Sequence, residues 1–182
     1  MNKAATPEPS SKVLNLALFG ILIALVYIST MLMPIPMPFS NGGLVHIGDV
    51  MLLTAALTFG AKKGAAAGGL GMMLFDLFSP YAVWAPYTLV IRALMGFIVG
   101  YIAFSDGKKG TDKLRNILAV TASLPILILG YYAAEGFIYG NWITPVKSIP
   151  GNLMQFVVGI ICAVPLTMVL NRFPLVKRLK NL

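Results

Sequence analysis

The sequence predicts an integral membrane protein, an all-α bundle of six transmembrane helices with both termini in the cytoplasm. Three observations predict it. Charged residues are 11% of the 182-residue chain and hydrophobic residues 58%, against roughly 25% charge in a soluble domain, so the surface must face something other than water. The apolar residues gather into six runs, about the number that fits at roughly 20 residues per crossing of a ~30 Å hydrocarbon core. The basic residues fall between those runs, on one side of the predicted membrane.

The spans are expected at residues 13–33, 47–60, 64–79, 83–104, 114–138 and 153–171. The first follows a polar tail, residues 1–12, and is too long for the apolar part of a cleavable signal. Spans two and three are short at 1.5 Å per residue, so they must be tilted, buried among neighbours or longer than drawn. Between them stand Lys62 and Lys63. A re-entrant hairpin would hold this pair at mid-membrane at about 2.5–3.5 kcal/mol each, so two full crossings are expected, with the doublet in water. Pro125 and Pro165 interrupt spans five and six, each removing a backbone donor. Residues 172–182 form a basic tail.

Orientation follows from lysine and arginine. Twelve of the fourteen lie on the side of the termini: Lys3, Lys12, Lys62, Lys63, Lys108, Lys109, Lys113, Arg115, Arg172, Lys177, Arg178 and Lys180. Lys147 lies opposite and Arg92 inside span four. The net charge of +8 is therefore read as topology and not as a nucleic-acid surface. The outer loops, residues 34–46 and 139–152, carry Pro34, Pro36, Pro38, Trp142, Pro145 and Pro150, and are expected to cover a site on the outer face.

Four ionisable groups gather in the outer half of the bundle: Asp49, Asp76, Glu135 and Arg92. Such groups are costly in a membrane and usually face a bundle interior or an aqueous cavity. Pairing of Arg92 with Asp76 or Asp49 would tie helices together, and a polar pocket for a small solute is compatible with such pairing. Helical spacing favours a pocket. Trp84, Thr88 and Arg92 recur every fourth residue, and the row continues through Gly96 and Gly100. Tyr131 or Tyr132 shares a face with Glu135, Asn152 with Gln155 and Gly159, and His46 with Asp49. Tyr87 lies beside the row. Rings beside hydrogen-bonding groups suit a flat, polar, ring-containing solute, although Trp84 and Trp142 equally fit an interfacial aromatic belt. The predicted site residues are His46, Asp49, Asp76, Trp84, Tyr87, Thr88, Arg92, Tyr131, Tyr132, Glu135, Asn152 and Gln155.

Small residues form a second pattern. Gly64, Gly68, Gly69 and Gly71 in span three let helices approach closely. In span one, Ala17, Gly20 and Ala24 make a narrow stripe that suits docking of another membrane protein. The single cysteine, Cys162, excludes a disulfide framework and is read as a packing residue. No phosphate-binding glycine loop, HExxH, GxSxG or His/Cys cluster occurs, so neither a cofactor nor a metal is expected. Uphill transport would need a partner or an ion gradient.

Residues 46–102 carry a resemblance to a known family. Its features are His46-Ile47-Gly48-Asp49, the turn from Phe59-Gly60 to Gly64, the small-residue run 67–71 with Asp76, residues 81–86, and Arg92 followed by Gly96. This stretch, about a third of the chain, resembles the substrate-binding S components of energy-coupling factor (ECF) vitamin transporters, within the riboflavin-type group that includes proteins assigned to hydroxymethylpyrimidine or pyridoxine uptake. The resemblance implies a binding subunit in a bacterial cell membrane, not an enzyme. It would capture a vitamin from outside and pass it to a transmembrane coupling protein driven by two cytoplasmic ATPases, with the span-one stripe as the docking face. Two other classes remain open on the residues alone. A self-sufficient carrier or channel would line a polar path through the inner half, and a membrane enzyme would turn over substrate through its carboxylates.

Overall fold

A computed structural model describes residues 10–32, 35–36 and 44–182. Seven α-helices are present among these residues: α1 (Ser11–Leu32), α2 (Gly48–Phe59), α3 (Ala61–Leu77), α4 (Ala85–Phe104), α5 (Lys113–Tyr139), α6 (Ile149–Leu170) and α7 (Pro174–Leu179). A two-residue ladder pairs β1 (Ile35–Pro36) with β2 (Leu44–Val45) antiparallel between α1 and α2. Most of the N-terminal tail and the centre of the first expected outer loop, residues 37–43, lie outside the described residues. Covering of the site by that loop lies there too.

Among the described residues, four segments are long and apolar enough to cross a membrane: Ser11–Leu32, Ala82–Gly107, Lys113–Tyr139 and Thr144–Leu170. Their outward faces are apolar, with Leu16, Ile21, Val90, Leu129 and Ile161 all exposed, as expected where lipid replaces water. Cys162 is on this outer face of α6 and not in the packed interior.

The short α2 is buried among its neighbours: ten of its twelve residues are buried, and Leu52, Leu53 and Leu57 are in the centre of the core. Helix α1 offers α2 and α3 a single stripe at every fourth residue, Leu18, Leu22, Val26 and Thr30, the spacing of one helix face. The turn from α2 to α3 is a single residue, Gly60, at φ +86°, a conformation that costs a side-chain-bearing residue and not glycine. Lys62 is exposed after this turn, but Lys63 is buried in α3, contrary to the expectation that both stand in water. The reason is the register of α3, which turns the 63rd residue back against α1, where its ammonium is 5.8 Å from the centre of the Phe19 ring.

The α3–α4 pair is the most extensive helix contact, and glycine makes it so. A Cβ on Gly64 would come within 2.8 Å of the Gly96 carbonyl oxygen, and one on Gly68 within 3.0 Å of that of Arg92. Backbone meets backbone along this seam, which brings Arg92 close to α3.

Helix α5 opens at Asp112, whose Oδ1 accepts from the Arg115 backbone N–H at 3.1 Å, and closes on left-handed Gly140. Both α5 and α6 run without a break through Pro125 and Pro165. Helix α6 begins four residues before the expected span, because Pro150 occupies its first turn, where the missing N–H has no helical partner to lose. The basic tail is not free. After α7, Lys180 donates to the Lys109 carbonyl at 2.6 Å and Asn181 accepts from the Lys109 ammonium at 2.9 Å.

Candidate functional site

At the end of the bundle where α2 starts and α3 ends, a cavity holds about 540 Å³ of empty space, its mouth included. Nine of the twelve predicted residues line it: His46, Asp76, Trp84, Thr88, Arg92, Tyr131, Glu135, Asn152 and Gln155.

Arg92 forms the floor. Its Nη1 is 2.7 Å from Asp49 Oδ1, and both side chains are 2–3% exposed. Asp49 does not line the cavity. It stands behind Arg92 in the first turn of α2, where the positive end of the helix dipole favours an anion. Arg92 Nε donates to the Tyr131 hydroxyl at 3.2 Å, and its guanidinium carbon is 5.1 Å from the centre of that ring. Thr88 is 3.4 Å from the same hydroxyl. One cation thus ties α2, α4 and α5 together and aims its remaining polar surface at the hollow.

Glu135 and Asp76 are different. Glu135 accepts from the Ser148 hydroxyl at 2.8 Å. Asp76 Oδ2 is buried with no hydrogen-bond partner among the described residues. No described cation comes within ion-pair distance of either. Three carboxyl groups therefore face one guanidinium, an arrangement that favours a ligand carrying positive charge or several N–H and O–H donors.

The walls are aromatic. Trp84 packs against Tyr131 at 6.1 Å and Tyr139 at 6.2 Å between ring centres, and Phe75 stacks on Tyr81 at 6.4 Å with 22° between planes. His46 is beside Phe75 and 3.3 Å from Gln155 Nε2. Burial, opposed by Asp49 and reinforced by Arg92, pushes the His46 imidazole down to about 4, so it is neutral at physiological pH. A neutral ring and an amide then offer donor and acceptor positions without charge.

Besides Asp49, two predicted residues are not brought to the cavity. The Tyr132 hydroxyl donates to the Trp142 carbonyl at 2.7 Å, outside the hollow, and Tyr87 packs against the hydrophobic core. Each is one residue, a 100° turn, from a lining residue. Trp142, 51% exposed, packs on Tyr132 and Phe137 and does not enter the site. Three lining residues were not predicted: Phe75, Tyr81 and Ser148. Phe75 and Tyr81 flank the α3–α4 turn, and Ser148 ends the short 3-10 helix Thr144–Ser148 that folds the second loop onto α5.

A helical membrane bundle holding a polar, ring-walled hollow at one end is the architecture of a membrane-embedded binding protein. Residues 10–172 match the family described as ECF-type riboflavin transporter, S component, and the chain belongs to that family. It is thus a transporter component and not an enzyme. Among similar proteins, an uncharacterized protein in the gap 3' region of Pyrococcus woesei is 38% identical over 136 residues, 75% of this chain and 87% of that protein. The thiamine precursor transporter HmpT of Lactococcus lactis subsp. cremoris (strain MG1363) is 28% identical over 158 residues, 87% of this chain and 88% of its own length.

Proposed function

We propose that this chain captures a small vitamin or vitamin precursor, hydroxymethylpyrimidine or pyridoxine, from outside a bacterial cell. It then delivers the molecule through a transmembrane coupling protein powered by two cytoplasmic ATPases. In this reading the chain crosses the plasma membrane six times with both termini in the cytoplasm. The 12-to-1 division of loop and tail cations supports that orientation, and the hollow then opens outward.

The observation that carries the substrate reading is the surplus of carboxyl groups between aromatic walls. An aminopyrimidine or a hydroxylated pyridine is flat enough to lie against Trp84 and Tyr81. Its amine or hydroxyls, or its ring nitrogen when protonated, would donate to Asp76 and Glu135, the two acids with no cation partner among the described residues. The relative that transports a thiamine precursor points to the same chemical class.

Docking onto the coupling protein is assigned to Ala17, Gly20 and Ala24. All three are exposed on α1, opposite the stripe that packs inward, and a side chain added at Gly20 would meet nothing within 4 Å.

The test is calorimetric titration of the purified chain with hydroxymethylpyrimidine, pyridoxine, thiamine and riboflavin, alongside Asp76→Asn and Glu135→Gln. Binding of one of the first two, weakened at least tenfold in each variant, is expected. Wild-type affinity in both variants, or tight binding of riboflavin alone, would overturn the assignment.

A further inference from the structure

We infer that the chain has a second ligand site, a groove at the opposite, basic end of the bundle that takes the phosphate of an acidic phospholipid headgroup. The groove runs between Asn15 and Phe19 of α1, Lys62 and Lys63 at the start of α3, Phe104 at the end of α4, and Lys180 beyond α7. It is separate from the vitamin pocket and does not depend on which vitamin binds there.

Lys63 is the first reason. A lysine at the rim of a membrane protein ordinarily reaches into water, and a buried ammonium is costly without a counter-charge. Lys63 is only 8% exposed, yet its described neighbour is the Phe19 ring and no described carboxylate pairs with it. The groove thus contains a buried cation for which the described residues supply no anion.

The surroundings reinforce this. Lys180 holds its ammonium 5.8 Å from the Phe104 ring centre and has no described ion pair. Burial, and then the charge of Lys109, push that ammonium down to about 8, and an anion in the groove would offset both effects. The acidic side chain lining the groove, Asp106, is already engaged by Arg115 at 2.7 Å. Helix α3 also opens here with no side-chain cap, so the positive end of its dipole points at the same space. Asn15 Oδ1, buried and without a hydrogen-bond partner, is placed to accept from a headgroup hydroxyl.

The source of the phosphate follows from what borders the groove. Its α1 wall continues into an apolar outer face, with Val13 58% and Leu16 74% exposed. A lipid can place its phosphate among the lysines and its acyl chains along α1 together, whereas a soluble phosphate would leave that face uncovered.

The test is native mass spectrometry of the full-length chain released from bilayers of equal phosphatidylglycerol and phosphatidylcholine. Lys63→Met, Lys62→Met with Lys180→Met, and Lys108→Met as a control outside the groove are compared, each first shown to bind vitamin normally. Wild type and the control should retain phosphatidylglycerol selectively. Retention should fall about fivefold for each groove lysine removed, since one near-surface lysine contributes about 1 kcal/mol toward anionic lipid. The double variant alters an exposed lysine and a half-buried one and leaves Lys63 in place, so it remains informative if Lys63→Met fails to fold. Equal retention of the two lipids, as an acidic protein segment being the true occupant would give, would overturn the inference. So would undiminished retention in the groove variants, or displacement of the lipid by millimolar inorganic phosphate.

Discussion

The pair between Asp49 and Arg92 supports a stability prediction that does not depend on the ligand. Asp49→Asn conserves shape and removes the counter-charge of a guanidinium that is 2% exposed. Breaking one side of a buried pair costs about 3–5 kcal/mol, because the surviving charge is stranded. With about 2–4 °C of melting temperature per kcal/mol for a chain of this size, the variant should melt on the order of ten degrees below wild type. Arg92→Met should destabilise comparably by stranding Asp49. The double variant has no stranded charge, so it should be more stable than the sum of the single losses implies, by about 2 kcal/mol or more of coupling. Thermal unfolding followed by size-exclusion chromatography in detergent measures all four corners of the cycle. Strict additivity, or an Asp49→Asn protein that melts with wild type, would refute the claim that this pair joins α2 to α4 beneath the pocket.

Three further outcomes are expected. Gly96→Val drives a side chain into the Gly64 backbone and should cost at least about 1–3 kcal/mol, read as a lower melting temperature. Gly20→Leu meets no neighbour within the chain, so vitamin affinity should be unchanged while co-purification with the coupling protein is lost. For His46 the folded value, about 4, is below the ordinary 6.5. Its contribution is therefore complete above pH 6.5 and drains away as pH falls toward 4. The acid loss of thermal stability should be shallower in His46→Gln, and an identical acid limb in both proteins would exclude this role.

Most of the fold was legible because membrane physics leaves few alternatives: backbone polar groups in lipid must be satisfied within the helix, and runs of apolar residues mark where that happens. The boundaries that slipped did so for local reasons. Pro150 looks like a loop residue until it is placed in the first turn of α6, and Lys63 looks like a loop lysine until the register of α3 turns it under Phe19. Neither is encoded in hydropathy, because each depends on which neighbour the helix meets.

The site divides along the same line. Trp84, Thr88 and Arg92 were legible from four-residue spacing, which held even though Trp84 is in a 3-10 turn just before α4. Spacing alone offered both Tyr131 and Tyr132 as neighbours of Glu135, and it could not choose between them. The choice comes from Arg92, whose Nε and cationic face are both directed to Tyr131, leaving the Tyr132 hydroxyl to the Trp142 carbonyl. Arg92 in turn is held by Asp49 from a helix more than forty positions earlier in sequence, one of the two pairings the sequence offered and one that local spacing could not choose over Asp76. Ser148 has the weakest sequence signal of all, a lone serine in a proline-rich connection, yet it holds one oxygen of Glu135. The pocket's chemistry is thus set by which acids acquire partners: Asp49 has a cation, Glu135 a hydroxyl, and Asp76 keeps one oxygen without a partner among the described residues. That unpaired oxygen is the feature a donor-bearing ring would fill, and it became visible only when the helices were in place.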